Sequence, residues 1–246
     1  MLSALRGAIG FLTVLPVGMD ERAWNAFRRR PATIPIVGYL LGLPLAALVT
    51  ALPANAVGGF ALVLGVYLLT GINHVDGLTD LADAIAVHGP REARIAALRD
   101  ERVGVGGGLA LGLVLLGLFA AGTALGRGGL EVAGIVVAAE VAAKLSMTIG
   151  LAAGSPRHEG LGATVGEHAT VASVGVGTIA ALPAAALAWP SPAAAVGLVA
   201  GTVAGLGPLW LATERLGGTS GDALGAANEV ARLAGLLAGV IAWTQL

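Results

Sequence analysis

The sequence has no cysteine, few charged residues and few aromatic residues. Of 246 residues, 12% are charged and 4% are aromatic. The absence of cysteine excludes disulfides and thiolate metal sites. The formal net charge of −1 provides no basic field, which argues against a nucleic-acid partner. So few charged residues could not cover the surface of a soluble domain of this length.

Apolar and small residues make up most of the chain instead. Hydrophobic residues account for 56% of it, there are 39 glycines, and the mean hydropathy is +0.85. This composition predicts one integral membrane domain over residues 1–246, in contact with the lipid bilayer. Met1 to Pro16 lacks a cleavage pattern and is predicted to be an interfacial helix rather than a signal peptide.

A membrane span needs about 20 mostly apolar residues. The predicted fold is therefore all-α, a polytopic helical bundle with about seven transmembrane helices, or six if the last one lies at the interface. The predicted spans are Ile34–Leu52, Ala56–Ile72, Val103–Leu125, Leu130–Leu151, Val171–Trp189, Ala193–Leu211 and Leu233 to the C-terminus. Small residues four apart, such as Gly38 and Gly42, are expected to let helices pack closely.

The connections alternate between short turns and long polar segments. Most of the 14 basic residues lie in the long segments, which predicts that those segments face the cytoplasm. We therefore expect a bacterial cytoplasmic (inner) membrane protein whose active site faces the cytoplasm. Within the fourth span, Glu140 and Lys144 are one turn apart and are expected to form an ion pair.

Three aspartates follow the second predicted span at helical spacing. Asp76, Asp80 and Asp83 stand at i, i+4 and i+7, within an arc of about 60° on one helix face. Since like charges on one face repel, the pattern indicates a bound cation, and oxygen ligands suit Mg²⁺ or Mn²⁺. The alternative is an acidic helix that merely stays hydrated. His74, just before them, is either structural or a general base.

The next polar segments add groups that could contact phosphate or metal. Arginines can clamp phosphate oxygens and glycines open the third span, although the positive-inside rule alone could account for the arginines. Asp222 follows a Gly-Thr-Ser-Gly turn and is either a helix N-cap or a metal or substrate contact. The candidates are Arg99, Asp100, Arg102, Gly104, Arg157, Glu159 and Asp222.

Several motifs together resemble one family. They resemble elements of the cobalamin synthase family of adenosylcobinamide-GDP ribazoletransferases and follow the same order along the chain. The motifs are FLTVLP at 11–16, HVDGLTDLADA at 74–84, DERVGVGGG at 100–108, RHEGLGA at 157–163 and GGTSGDALGA at 217–226. Val14, Glu101, Ser220 and Lys144 depart from the family pattern, but none of these departures removes a carboxylate.

The resemblance implies a phosphoryl transfer late in cobalamin synthesis. α-Ribazole, or its 5′-phosphate, would be joined to adenosylcobinamide-GDP with release of GMP and with help from Mg²⁺, or Mn²⁺ in its place. Asp76, Asp80 and Asp83 would hold the metal, and Asp100 and Asp222 are candidates for a second ion. The remaining roles are substrate or phosphate binding by Arg99, Arg102, Gly104, Arg157 and Glu159, and proton transfer by His74 or by a metal-bound carboxylate.

Two other functions stay open at this stage. A CDP-alcohol phosphotransferase also uses clustered aspartates, but its D-G-x-x-A-R opening is absent after Asp76-Gly77. A transporter would place substrate groups near the bilayer midplane, where only Glu140 and Lys144 are predicted to lie deep. A homo-oligomer is also left open.

Overall fold

The structure is a computed structural model that describes residues 1–153 and 161–245, with residues 161–163 described by their backbone alone. All of the regular structure in these parts of the chain is helical. The helices are α1 (Leu2–Leu12), α2 (Glu21–Arg28), α3 (Ile34–Ala51), α4 (Ala56–Thr70), α5 (Asn73–Ala86), α6 (Arg91–Leu98), α7 (Val105–Leu125), α8 (Gly129–Ala153), α9 (Leu161–Gly166), α10 (Val171–Ala181), α11 (Ala193–Leu216) and α12 (Gly221–Gln245), with 3-10 turns at Pro31–Thr33 and Leu182–Ala186.

Five of the described helical segments are long and apolar enough to cross a membrane. They are Pro31–Ala51, Val105–Leu125, Gly129–Ala153, Ala193–Leu216 and Gly221–Gln245. The predicted all-α membrane bundle is thereby confirmed. The helices α4 and α5 qualify only as a pair that bends by 99°, which raises the count to six, so the structure does not confirm seven. The bend separates the apolar α4 from α5, which carries three aspartates, so we count only α4 as the membrane part of this pair.

The fifth predicted span corresponds to a shorter helical segment. Val171–Ala186 combines α10 with the 3-10 turn that follows it and belongs to the shorter apolar helices of the fold. The 3-10 turn begins at Leu182 and contains Pro183 as its second residue, whose missing N–H cannot continue the hydrogen-bond ladder of α10.

Helix α8 forms the centre of the bundle. Of its most apolar stretch, 89% is buried, and it packs against α3, α11 and α12. A Cβ on Gly38 would lie 2.6 Å from the Cα of Val141, and one on Gly42 would lie 2.7 Å from the Cα of Val137. Only glycine permits these backbone approaches, so the predicted small-residue packing is confirmed at this interface.

The first two helices form a separate hairpin at the chain start. Phe11, Trp24 and Phe27 pack together with ring centroids 5.5 to 5.9 Å apart. Asp20 caps α2 by accepting the N–H of Ala23 at 2.7 Å and also pairs with Arg6. The hydrogen bond from Arg6 lowers the pKa of Asp20 below its usual value. Helix α1 is a short apolar helix, and its position at the membrane interface stays a prediction.

The predicted helix start at Asp222 and the last predicted span belong to one continuous membrane-spanning helix, which changes the expected ion pairing. The start of the span at Gly221 rather than Leu233 brings Asn228, Glu229 and Arg232 into the buried interior. Arg232 donates to Glu140 at 2.5 Å and to Glu229 at 2.5 Å.

The predicted Glu140–Lys144 ion pair is therefore wrong. Lys144 donates instead to the side-chain oxygen of Asn228 at 2.5 Å. Glu140 meets Arg232, because a planar guanidinium satisfies a buried carboxylate with two hydrogen bonds and a lysine ammonium does not. The Tyr67 hydroxyl donates to Glu229 at 3.3 Å and links α4 to this buried network.

Candidate active site

Helix α5 is placed against the start of α12 by two close backbone approaches. Gly71, with φ +67°, ends α4 and allows the chain to turn sharply into α5. A Cβ on Gly77 would lie 2.7 Å from the Cα of Asp222, and one on Gly225 would lie 2.8 Å from the carbonyl oxygen of His74. The two glycines therefore bring Asp222 next to the acidic face of α5, although 145 positions separate the residues of the Gly77–Asp222 contact.

The acidic group consists of Asp76, Asp80 and Asp222, with Asp83 at its edge. Partial burial, followed by the negative charges of Asp76, Asp222 and Asp83, raises the pKa of Asp80 to about 6. Asp76 is exposed, whereas Asp80 and Asp222 are partly buried. Negative charges around the partly buried Asp80 create a site that favours a bound cation.

Asp83 accepts hydrogen bonds from the start of α7, which the sequence did not predict. Its two carboxylate oxygens accept the backbone N–H groups of Gly104 at 2.7 Å and Gly107 at 2.9 Å. These N–H groups belong to the first turn of α7, which has no carbonyl partners for them within the helix. Asp83 thus holds the start of α7 against α5. Gly104 was predicted to contact substrate, and its N–H donates to Asp83 instead.

The segment between α6 and α7 carries an exposed ion pair. Arg102 donates to Asp100 at 2.8 and 3.0 Å, and these hydrogen bonds lower the pKa of Asp100 to about 2. Arg99 is exposed at the end of α6. Asp100 therefore faces Arg102, and the structure does not bring it into the group formed by Asp76, Asp80 and Asp222.

His74 lies under the acidic group and is 8% exposed. Its side chain makes no hydrogen bond to any residue that the structure describes, and its Nδ1 is buried without a partner. Burial, together with the positive charges of Lys144 and Arg232, holds the pKa of His74 well below its usual value. The imidazole is consequently neutral, which is the form that accepts a proton, and its role as general base stays a prediction.

Two of the predicted substrate contacts, Arg157 and Glu159, lie outside the described residues. The sequence did not predict that Asn228, Glu229 and Arg232 form a buried polar network next to His74. The available signal was the Asn-Glu-x-x-Arg spacing, which places Glu229 and Arg232 one turn apart in an otherwise apolar segment.

The fit of a divalent cation depends on how Mg²⁺ is bound in proteins. Among the residues that the structure describes, no three histidine, aspartate or glutamate side chains form a ready metal cage. Mg²⁺ usually keeps several waters and takes only one or two carboxylates plus substrate phosphates. Two carboxylates drawn from Asp76, Asp80 and Asp222 fit that requirement, because they supply hard oxygen ligands and Asp76 is exposed.

These features define an all-helical integral membrane protein with a carboxylate-rich site at one end of the helix bundle. The chain belongs to the cobalamin-5-phosphate synthase family, CobS, whose model matches residues 4–240. No solved structure matches the chain significantly.

Curated relatives match the chain along its whole length. An adenosylcobinamide-GDP ribazoletransferase of Halorubrum lacusprofundi is 52% identical, with 100% of this chain and 99% of that protein covered. Proteins of the same name from Haloquadratum walsbyi and Methanocella arvoryzae are 40% and 36% identical, and at least 98% of each chain is covered. Because these organisms are archaea, the relatives give no support to the bacterial part of the predicted location.

Proposed function

We propose that this protein joins α-ribazole, or its 5′-phosphate, to adenosylcobinamide-GDP and releases GMP, at the site formed by α5 and the first turn of α12. The observation that carries the proposal is the full-length match, at 52% identity, to a relative named adenosylcobinamide-GDP ribazoletransferase. The protein is accordingly a transferase of late cobalamin synthesis.

The reaction breaks the phosphoanhydride bond of adenosylcobinamide-GDP and forms a phosphodiester. The 3′-hydroxyl oxygen of the ribazole ribose forms a bond to the cobinamide-side phosphorus, and the bond from that phosphorus to the GMP oxygen breaks. GMP leaves with the electron pair of that bond, and the hydroxyl proton passes to a base. The carboxylate of Asp80, whose pKa is raised to about 6, suits that role, whereas the lowered pKa of buried His74 makes its imidazole a weak base.

A bound Mg²⁺ would neutralise the diphosphate and stabilise the departing phosphate charge. Asp80, together with Asp76 or Asp222, would hold it, whereas Asp83 would keep α7 in place. Arg99 and Arg102 lie on the exposed segment that precedes α7, where each could donate to a phosphate oxygen once Arg102 exchanges Asp100 for substrate.

The site is assigned to the cytoplasmic side of the membrane. Support comes from the arginines of the polar segments, which by the positive-inside rule stay in the cytoplasm. Arg91, Arg94, Arg99 and Arg102 all lie between α5 and α7, and Asp83 of α5 accepts hydrogen bonds at the end of this segment.

The test is GMP release by purified protein in lipid. Unmodified protein, adenosylcobinamide-GDP, α-ribazole and Mg²⁺ should yield GMP, and EDTA should stop the reaction. Asp80→Asn should lower turnover at least hundredfold, because it removes a charge from the metal site. Glu214→Gln, at an exposed glutamate of α11, serves as the matched control and should leave turnover unchanged. Absence of GMP from the unmodified protein would reject the proposal, and turnover in EDTA would reject the role of the metal.

A further inference from the structure

A cavity of about 300 Å³ lies beside the acidic group. Side chains of α1, α2, α5, α8 and α12 line it, and most of them are apolar. Phe11, Phe27, Met147 and Leu224 contribute to the apolar wall, and the described polar side chains of the lining are Asn73, His74 and Asp222. A mainly apolar pocket with a few convergent polar groups is the usual form of a small-molecule site.

The size of the cavity limits what it can hold. At the packing density of protein interiors, about 0.75, a space of 300 Å³ accommodates roughly 220 Å³ of ligand. A bicyclic aromatic ring with small substituents fits within that volume, whereas a corrin macrocycle with its side chains is several times too large. Guanine and adenine of adenosylcobinamide-GDP are bicyclic as well, but each carries several polar ring atoms and exocyclic groups. The ribazole base has one free ring nitrogen and two methyl groups, which suits the mainly apolar lining.

Asp222 joins the cavity to the site of chemistry. It lines the cavity, and its charge also acts on Asp80 of the acidic group. Its backbone touches α5 at Gly77. A ligand whose ring lies in the cavity would therefore present the polar atoms attached to that ring beside Asp222 and Asp80.

His74 supplies the polar recognition. Its side chain lines the cavity, is 8% exposed, and makes no hydrogen bond to a described residue. A buried polar group without a partner is costly, and native structures rarely leave one unsatisfied. The N–H of a neutral imidazole can donate to the unsubstituted ring nitrogen of a benzimidazole.

We propose that this cavity binds the dimethylbenzimidazole base of the ribazole substrate, with His74 donating to the ring nitrogen and the ribose lying at Asp222. The inference rests on the proposed function and specifies where one of its two substrates lies. It also gives α1 and α2 a part in substrate binding, because Phe11 and Phe27 line the cavity.

The experiment fills the cavity and measures the Michaelis constant of each substrate separately. Leu224→Trp, and the milder Met147→Phe, should raise the KM for α-ribazole at least tenfold and leave the KM for adenosylcobinamide-GDP within twofold. The riboside of unsubstituted benzimidazole, which is smaller by two methyl groups, should recover most of the loss. Leu116→Trp, at a position of α7 that is 67% exposed, is the control and should change neither constant.

The outcomes separate the two claims. Equal changes in both KM values, or equal loss with the large and the small base in both variants, would overturn the cavity assignment while the transferase function stands. No GMP release from unmodified protein would overturn the proposed function and this inference with it. A selective rise in the ribazole KM that the smaller base relieves supports the assignment, since general misfolding would not discriminate between bases.

Discussion

The contact between Gly77 and Asp222 offers a direct test of how the site is held together. In Gly77→Ala, the new methyl group would lie 2.7 Å from the Cα of Asp222 and 2.9 Å from its carbonyl oxygen, where ordinary contact begins at 3.4 Å. Both neighbours are backbone atoms of a long helix and cannot rotate away. Helices α5 and α12 must therefore separate by about 0.7 Å at this point, the difference between 3.4 and 2.7 Å.

The expected effects on stability and on activity differ. Overpacking costs about 1–3 kcal/mol, and alanine in place of a helical glycine recovers about 1 kcal/mol, so unfolding should change by no more than about 2 kcal/mol. A misplacement of about 1 Å within a catalytic group can lower the rate about hundredfold. We therefore expect Gly77→Ala to fold and to lose most of its turnover.

GMP release and thermal unfolding, both in lipid, measure these two effects. Gly112→Ala is the matched control, because a Cβ at Gly112 of α7 meets nothing within 4 Å. It should keep full turnover and gain up to about 1 kcal/mol from helix propensity. If Gly77→Ala retains more than a third of the wild-type rate, the argument that this contact positions Asp222 against the acidic face is refuted.

Three further predictions concern the charged side chains. Asp83→Ala should lower stability by about 1 kcal/mol through loss of the α7 cap, and a loss of turnover as large as that of Asp80→Asn would show instead that Asp83 binds the metal. Arg232→Met should lower stability by about 3–5 kcal/mol, because Glu140 and Glu229 are left buried without their cation. Adding Glu140→Gln should recover part of that loss, and thermal unfolding measures both variants. The raised pKa of Asp80 keeps its carboxyl protonated up to about pH 6. Mg²⁺ affinity, measured by calorimetry, should therefore be full above that pH and fall up to tenfold per pH unit below it. An affinity independent of pH between 4 and 7 would contradict the role of Asp80.

The buried network shows why span boundaries were the weakest part of the sequence prediction. Hydropathy alone places Asn228, Glu229 and Arg232 outside the membrane, because each is unfavourable there by itself. Packing reverses the outcome, since Glu140 on α8 satisfies Arg232 from 92 positions away. A window of neighbouring residues contains no information about such a partner.

The sequence by itself determined the class of protein, the all-helical bundle, the aspartate stripe of α5 and the family resemblance. Each of these depends on composition or on spacing within one helix, which short-range geometry fixes. Tertiary structure alone decided that Asp222 joins Asp80, that Asp83 caps α7, that Glu140 pairs with Arg232, and that His74 lies beside an apolar cavity. These outcomes depend on which helices approach one another and at what depth, and that is set by close glycine contacts and by the need to pair every buried charge.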